Sequence, residues 1–197
     1  MEQVDVAIIG GGPAGAAAAR EAAAQGADTL VFEKGVPRAD REELGPDSTD
    51  AAGMLDYWVD IMDFRPGEIP DDVILSELEG ATFYGPNESI TIRSTGLPSS
   101  YPDFGFSFHR ARFDDWLRER AEAEGAEFRI GVSVKSVETD MVGGHTHHVD
   151  LADGEAVQSR YVILADGPQR TVTTGVLDQF MPRDDSITNY LGSDKAN

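Results

Sequence analysis

A glycine-rich turn with a strand before it and a helix after it constrains this chain more than any other feature. Val4 to Gly10 is short, apolar from Val6 onward and ended by glycine, the pattern of a buried strand. Gly10-Gly11-Gly12-Pro13-Ala14-Gly15 follows. An alanine-rich stretch from about Pro13 to Gln25 then predicts a helix, with Gly26 at its C-terminal cap. Thr29 to Glu33 reads as a second buried strand. Strand, turn, helix and strand within about 30 residues make one βαβ unit.

Each residue of the turn has a physical reason to be there. Gly10 permits a tight exit from the strand, Gly12 lets a pyrophosphate approach the backbone, and Gly15 lets helix and strand pack closely. The first amides of the helix and its dipole then face the phosphates. Glu33 follows Gly10 by 33 − 10 = 23 residues, where an acidic side chain hydrogen-bonds a ribose 2′-hydroxyl. A carboxylate there repels a 2′-phosphate and argues against NADP. The plain alternative is an ordinary turn and a solvated strand end, and the correct flanks weigh against it. NAD and FAD both remain open on these residues alone.

The rest of the chain continues in mixed style. Gly35 to Asp47 reads as a polar loop, and Ser48, Thr49 or Asp50 as the cap of a helix running to about Met62. Val73 to Ser94 alternates apolar and polar residues around Gly85-Pro86-Asn87, which predicts a hairpin. Phe106 and Phe108 share one strand face. From Ala111 or Arg112 to near Gly125 a helix is expected, its apolar stripe formed by Phe113, Trp116, Leu117 and Ala121. Phe128 to Val134 reads as a strand. Lys135 to Val142, His145 to Leu151 and Ala156 to Leu164 read as a β-meander turning at Gly143-Gly144 and Ala152-Asp153-Gly154. The pattern is weak after about Gly175.

Charge narrows the partners. There are 36 acidic against 16 basic residues, a formal net charge of −20, and the only lysines are Lys34, Lys135 and Lys195. Such a surface repels nucleic acid and anionic lipid. Self-repulsion on this scale is tolerable where salt screens it, so a halophilic source is expected, with a merely acidic mesophilic protein as the alternative. The absence of cysteine excludes disulfides, thiolate metal sites and cysteine nucleophiles. The polar, acidic start Met1-Glu2-Gln3-Val4-Asp5 has no basic region of a secretory signal, and no apolar run is long enough to span a membrane. A cytoplasmic location is the resulting expectation.

Three segments in order carry a family resemblance. They are Gly10–Gly15 with Glu33-Lys34, then Phe108-His109-Arg110-Ala111-Arg112-Phe113-Asp114-Asp115-Trp116-Leu117, then Val162-Ile163-Leu164-Ala165-Asp166-Gly167. Together they resemble the FAD-binding portion of flavin oxidoreductases that include the geranylgeranyl reductases and the aromatic-ring hydroxylases. The Arg-x-x-Phe-Asp-x-x-Leu pattern at Arg110–Leu117, followed by Gly125-Ala126, is most similar to the reductases. The resemblance implies FAD as cofactor, with NAD(P)H as a possible electron donor, and a lipid or other small-molecule substrate. It implies cofactor contacts at Gly10, Gly12, Pro13, Ala14, Gly15, Glu33 and Lys34. It further implies Arg110 near the flavin side, Val134 meeting the adenine through its backbone, and Leu44-Gly45 beside the flavin. Asp166-Gly167 resembles a second dinucleotide motif, where the chain passes close to the cofactor.

Two departures stand out. Geranylgeranyl reductases often carry a cysteine near position 44, where this chain has leucine. The family's further Gly-Asp motif and its substrate-binding half are not found, so the chain is expected to be an N-terminal fragment, an excised domain or a truncated gene product. The expected division is a cofactor domain over residues 1–175, with β elements inserted at about 73–108, and an incomplete part over 176–197.

Other candidates carry less. His145 and His147 share a strand face and sit beside His148, but no third metal ligand has clear spacing, and a solvated hairpin is the better reading. His109 reads as structural. Ser99-Ser100 lacks a nucleophile-elbow context. Asp114-Asp115 favours the dipole at the start of its helix. Phe104, Phe106 and Phe108 read as core rather than as a substrate cavity. No side chain in the sequence reads as catalytic. The expected fold is α/β, a Rossmann-like parallel sheet with an antiparallel β-meander laid over it. The leading function is a flavin-dependent reductase of isoprenoid lipid. An aromatic-type flavin monooxygenase and a non-catalytic nucleotide-binding module are the alternatives.

Overall fold

A computed structural model of the chain describes residues 1–35, 51–65, 67–94, 96–140, 146–168 and 170–180. Its elements run β1 (Glu2–Ile9), α1 (Pro13–Ala24), β2 (Thr29–Glu33), β3 (Ala51–Leu55), α2 (Asp56–Ile61), β4 (Ile74–Leu78), β5 (Ala81–Tyr84) and β6 (Ser89–Ile92). They continue β7 (Gly105–His109), α3 (Arg110–Ala123), β8 (Glu127–Ile130), β9 (Val134–Asp140), β10 (Thr146–Leu151), β11 (Ala156–Leu164) and α4 (Thr171–Phe180). The chain divides into two compact units, Met1–Pro37 with Trp116–Asn197, and Arg38–Asp115.

The first unit is built on a six-stranded sheet in the order β8-β2-β1-β11-β10-β9. β8, β2, β1 and β11 run parallel, and β10 and β9 continue antiparallel. The uninterrupted apolar runs of β1 and β2 follow from this placement, because both strands are covered on both faces. On one face Ala7, Ile9, Leu30 and Phe32 pack with Val137, Val149, Leu151 and Val157 and with Val172 and Val176 of α4. On the other, Val6, Ile8 and Val31 meet Ala19 and Ala23 of α1 together with Ala121 and Ala126. Full burial of one such aliphatic or phenyl side chain contributes about 1.5–3 kcal/mol. The small alanines on α1 let that helix lie close on the sheet.

The α/β class agrees with the sequence. The meander is hydrogen-bonded to the parallel sheet through β11, which pairs with β1 from Glu2↔Val157 to Ile9↔Leu164, while Val137 of β9 and Val149 and Leu151 of β10 share a core with one face of β1 and β2. A sequence pattern identifies a strand but not its partner, and here hydrogen bonding to β1 decides the geometry.

The second unit holds a three-stranded sheet in the order β3-β7-β4 and the β5–β6 hairpin. Its core is aromatic. The rings of Phe108 and Phe113 lie 4.5 Å apart, Phe106 and Phe108 5.7 Å, and Phe64 meets Phe113 edge-on at 6.0 Å. Phe104, Phe106 and Phe108 are all buried, as core residues should be. The hairpin turns at Gly85, whose amide donates to Glu88 O at 2.7 Å. Its Phe83↔Ile90 cross-strand pair is 62% and 66% exposed.

Three further differences from the sequence reading appear. The helix expected up to Met62 is only α2, and Ala51–Leu55 is instead a strand paired with β7 from Ala51↔His109 to Leu55↔Gly105. Tertiary pairing overrides the helix preference of alanine and leucine there. The capping candidates Ser48, Thr49 and Asp50 lie outside the described residues. The strand expected to reach Val134 ends at Ile130, and Gly131 opens a turn into β9. Finally, a helix, α4, occupies the stretch where the pattern fades, so the expected boundary at 175/176 falls inside an element.

Candidate functional site at the C-terminal edge of the parallel strands

The four parallel strands deliver their C-terminal ends, Ile9, Glu33, Ile130 and Leu164, to one edge of the sheet. In open α/β sheets that edge is where ligands bind. The glycine turn leaves β1 there. Its first amide, Gly10 N, donates to Phe32 O at 2.8 Å, and Ala165 N donates to Ile9 O at 2.8 Å, so the turn is tied on both sides. Gly10 has φ +104°, and a β-carbon on it would stand 2.8 Å from the carbonyl carbon of Ala165. A β-carbon on Gly15 would run into the carbonyl oxygen of Gly10. Both positions therefore require glycine for packing alone. Gly12 differs: a β-carbon there would meet nothing within 4 Å, and its φ of −69° suits any residue.

Gly12 is the N-cap of α1, Pro13 opens the helix, no side chain caps it, and the first turn holds no acidic residue. The first amides of a helix have no intrahelical partner. An N-terminus of this kind, with its helix dipole, favours an anion.

Glu33 closes the other side. Its Oε2 accepts from Gly11 N at 2.6 Å and its Oε1 from Gly35 N at 2.6 Å. Lys34 beside it is exposed. The backbone of Glu33 also receives Val132 N at 3.0 Å, and Gly35 O receives Gly131 N at 3.2 Å. The segment leading into Val134 is thereby fastened to the end of β2. Val134 itself starts β9, pairs with Leu151 and packs partly into the core.

On the far side of the turn, Asp166 directs its carboxylate at α4. Oδ2 accepts from Val172 N at 2.8 Å and Thr173 N at 3.0 Å, and Oδ1 accepts from the Thr173 hydroxyl. Gly167 has φ +73°, with open space where a β-carbon would stand. Thus Gly10, Gly12, Pro13, Ala14, Gly15, Glu33, Val134, Asp166 and Gly167 gather around one edge in the first unit. Arg110 belongs to the second unit, where its Nε pairs with Asp114 Oδ1 at 2.7 Å one helical turn on. Leu44 and Gly45 lie outside the described residues, as does His145. His147 and His148 fall opposite Ser159 and Gln158 on β11.

Sequence reasoning missed the capping role of Asp166. The available signal was an aspartate shortly before a Thr-Val-Thr-Thr run, a usable helix start that the low helix propensity of those residues obscures. A polar cavity of about 260 Å³ lined by Gln3, Asp5, Asp28, Thr146, Gln158 and Arg160 opens at the opposite end of β1. It lies apart from the glycine turn.

The donors at this edge fit a dinucleotide. Uncapped helix amides suit a pyrophosphate, and a carboxylate at the end of β2 suits a ribose diol. Comparison with known proteins gives the same answer for the chain as a whole. The profile of the FAD dependent oxidoreductase family matches residues 5–167. The chain belongs to that family. It is 33% identical over 167 residues to a digeranylgeranylglycerophospholipid reductase of Picrophilus torridus, covering 83% of this chain and 39% of that protein. It is 31% identical over 170 residues to a reductase of the same name from Methanosarcina acetivorans, covering 85% of this chain and 39% of that one. Among solved structures it resembles a geranylgeranyl bacteriochlorophyll reductase-like protein of Thermoplasma acidophilum. The TM-score is 0.70 at 28% identity, over 89% of this chain and 42% of that one. The chain spans about two-fifths of the length of the curated relatives it matches. No helix among the described residues is long and apolar enough to cross a membrane.

Proposed function

We propose that the C-terminal edge of the parallel strands holds the ADP half of FAD, in an oxidoreductase that saturates double bonds of an isoprenoid lipid. The observation that carries the cofactor reading is the uncapped N-terminus of α1 standing beside the Glu33 carboxylate, which Gly11 N holds at 2.6 Å. In this reading Gly12 and the amides of Ala14 and Gly15 receive the pyrophosphate. Pro13 pre-sets the first helical turn. Glu33 exchanges one backbone partner for the ribose hydroxyls, and Lys34 adds a cation beside them. The Val134 backbone faces the adenine, and Asp166-Gly167 borders the cofactor.

When bound, the flavin supplies hydride transfer, chemistry that resides in the cofactor. This chain's residues bind and orient it. Isoprenoid lipid as substrate rests on the names of the relatives, and NAD(P)H as reductant on the resemblance of the sequence. The test supplies reduced FAD and digeranylgeranylglycerophospholipid to the chain, or to any longer natural protein containing it, and reads the lipid by mass. Gain of a hydrogen pair per double bond supports the reading. Gain of an oxygen atom, or no change in the lipid, overturns it.

A further inference from the structure

Thr173 lies on α4 and is not itself assigned above to cofactor contact, yet both oxygens of the Asp166 carboxylate are held by α4. The Thr173 hydroxyl donates to Oδ1, and the amides of Val172 and Thr173 donate to Oδ2. The other end of the same short stretch is pressed on the glycine turn. Ala165 N donates to Ile9 O at 2.8 Å, and a β-carbon on Gly10 would come 3.1 Å from Asp166 N. Two residues, Ala165 and Asp166, therefore bridge the first turn of α4 to the exit of β1. Val172 and Val176 anchor that helix in the core.

From this bridge we infer that Thr173 is a positioning residue for the cofactor site, acting through Asp166 on the backbone that walls the glycine turn. The inference rests on the FAD reading given above. The contrast between the two helices supports it. The N-terminus of α1 is left open. The N-terminus of α4 is filled by the protein's own carboxylate, so α4 attracts no competing anion and the Asp166 charge is consumed by amides and a hydroxyl. Loss of the hydroxyl leaves Oδ1 without this donor. The carboxylate, then held through Oδ2 alone, turns more readily from α4 toward the mouth of the turn, where it repels a pyrophosphate and loosens the Ala165–Asp166 wall.

The experiment measures FAD affinity by flavin fluorescence in the unaltered protein and in Thr173→Val, Thr173→Ser and Val176→Ala. Thermal midpoints are recorded alongside. Thr173→Val keeps the shape and removes only the hydroxyl, and a loss of about tenfold in FAD affinity is expected from one charge-assisted hydrogen bond. Thr173→Ser should bind like the unaltered protein. Val176→Ala should lower the thermal midpoint without weakening FAD, because it loosens the helix and leaves the hydroxyl in place. Where valine is not tolerated, Thr173→Ala set against Thr173→Ser makes the same comparison. Unchanged affinity in the hydroxyl-free variant, or a loss matched by Val176→Ala, overturns the role of Thr173 while the FAD reading stands. Failure of the unaltered protein to bind FAD overturns both.

Discussion

The Glu33 carboxylate holds Gly11 directly, Oε2 accepting the Gly11 amide at 2.6 Å across the gap between β2 and the glycine turn. The second oxygen holds Gly35 N at the same distance. The side chain that would meet the ribose thus also shapes the loop that would meet the phosphates. Glu33→Ala removes both bonds and leaves two partly buried amides without their partner. A fold loss of about 1–3 kcal/mol is expected by analogy with other orphaned donors. FAD affinity should fall further than stability, and calorimetric titration beside thermal unfolding separates the two. Equal FAD affinity in the variant would contradict the assignment.

Gly12 and Gly15 should fail in different ways. Gly15→Ala sets a methyl against the Gly10 carbonyl, so the variant should fold poorly with or without cofactor. Gly12→Ala meets nothing within 4 Å and sits at a φ any residue adopts, so it should fold with nearly unchanged stability. Its methyl would nonetheless stand where a pyrophosphate approaches, and FAD binding should be lost. A Gly12→Ala variant that binds FAD normally would show that the open space is not a phosphate seat.

The net charge of −20 predicts salt dependence. Screening shortens from about 10 Å at 0.1 M salt to about 3 Å at 1 M, which relieves self-repulsion in the folded state. The thermal midpoint should rise by several degrees between those concentrations, in sodium and potassium chloride alike. A flat or falling midpoint would remove the case for a halophilic protein.

Acid sensitivity has identifiable contributors. The side-chain hydrogen bond from Arg160 holds Asp5 below its ordinary value of 3.8, and the Ser100 hydroxyl and amide do the same for Asp60. Both folded values are depressed, so the stabilisation is present above pH 3.8 and is lost as pH falls below it. Both groups are solvent-exposed, so each effect is small. Asp60→Asn should be slightly less stable than the parent at neutral pH, and the gap should close below pH 3.8. Thermal midpoints across the acid range read the difference directly, and a gap that widens on acidification would contradict it.

What the sequence made legible was local. β1, the glycine turn, α1 and β2 lie within 33 residues, and each is signalled by its own residues: apolar runs, Pro13 at the helix start, Gly26 at its end. The stripe Phe113, Trp116, Leu117 and Ala121 is buried as its spacing requires. What escaped was set by partners distant in sequence. Ala51–Leu55 becomes a strand only because β7 is there to pair with it, and β11 enters the parallel sheet only through β1. α4 was hidden for a similar reason: its β-branched first turn and Gly175 are weak helix formers, and the Asp166 carboxylate and the sheet below supply what propensity lacks. The glycine turn and Glu33 were readable as a nucleotide site because their geometry is local. The Asp166–Thr173 link was not.

The most direct measurement is equilibrium binding of FAD to the purified chain in molar salt, with ADP and NAD as competitors and retained flavin quantified after gel filtration. The account predicts that FAD binds a folded chain near one equivalent, that ADP competes, and that Gly12→Ala abolishes both. A folded chain that retains neither FAD nor ADP would contradict the reading of the C-terminal edge as a dinucleotide site.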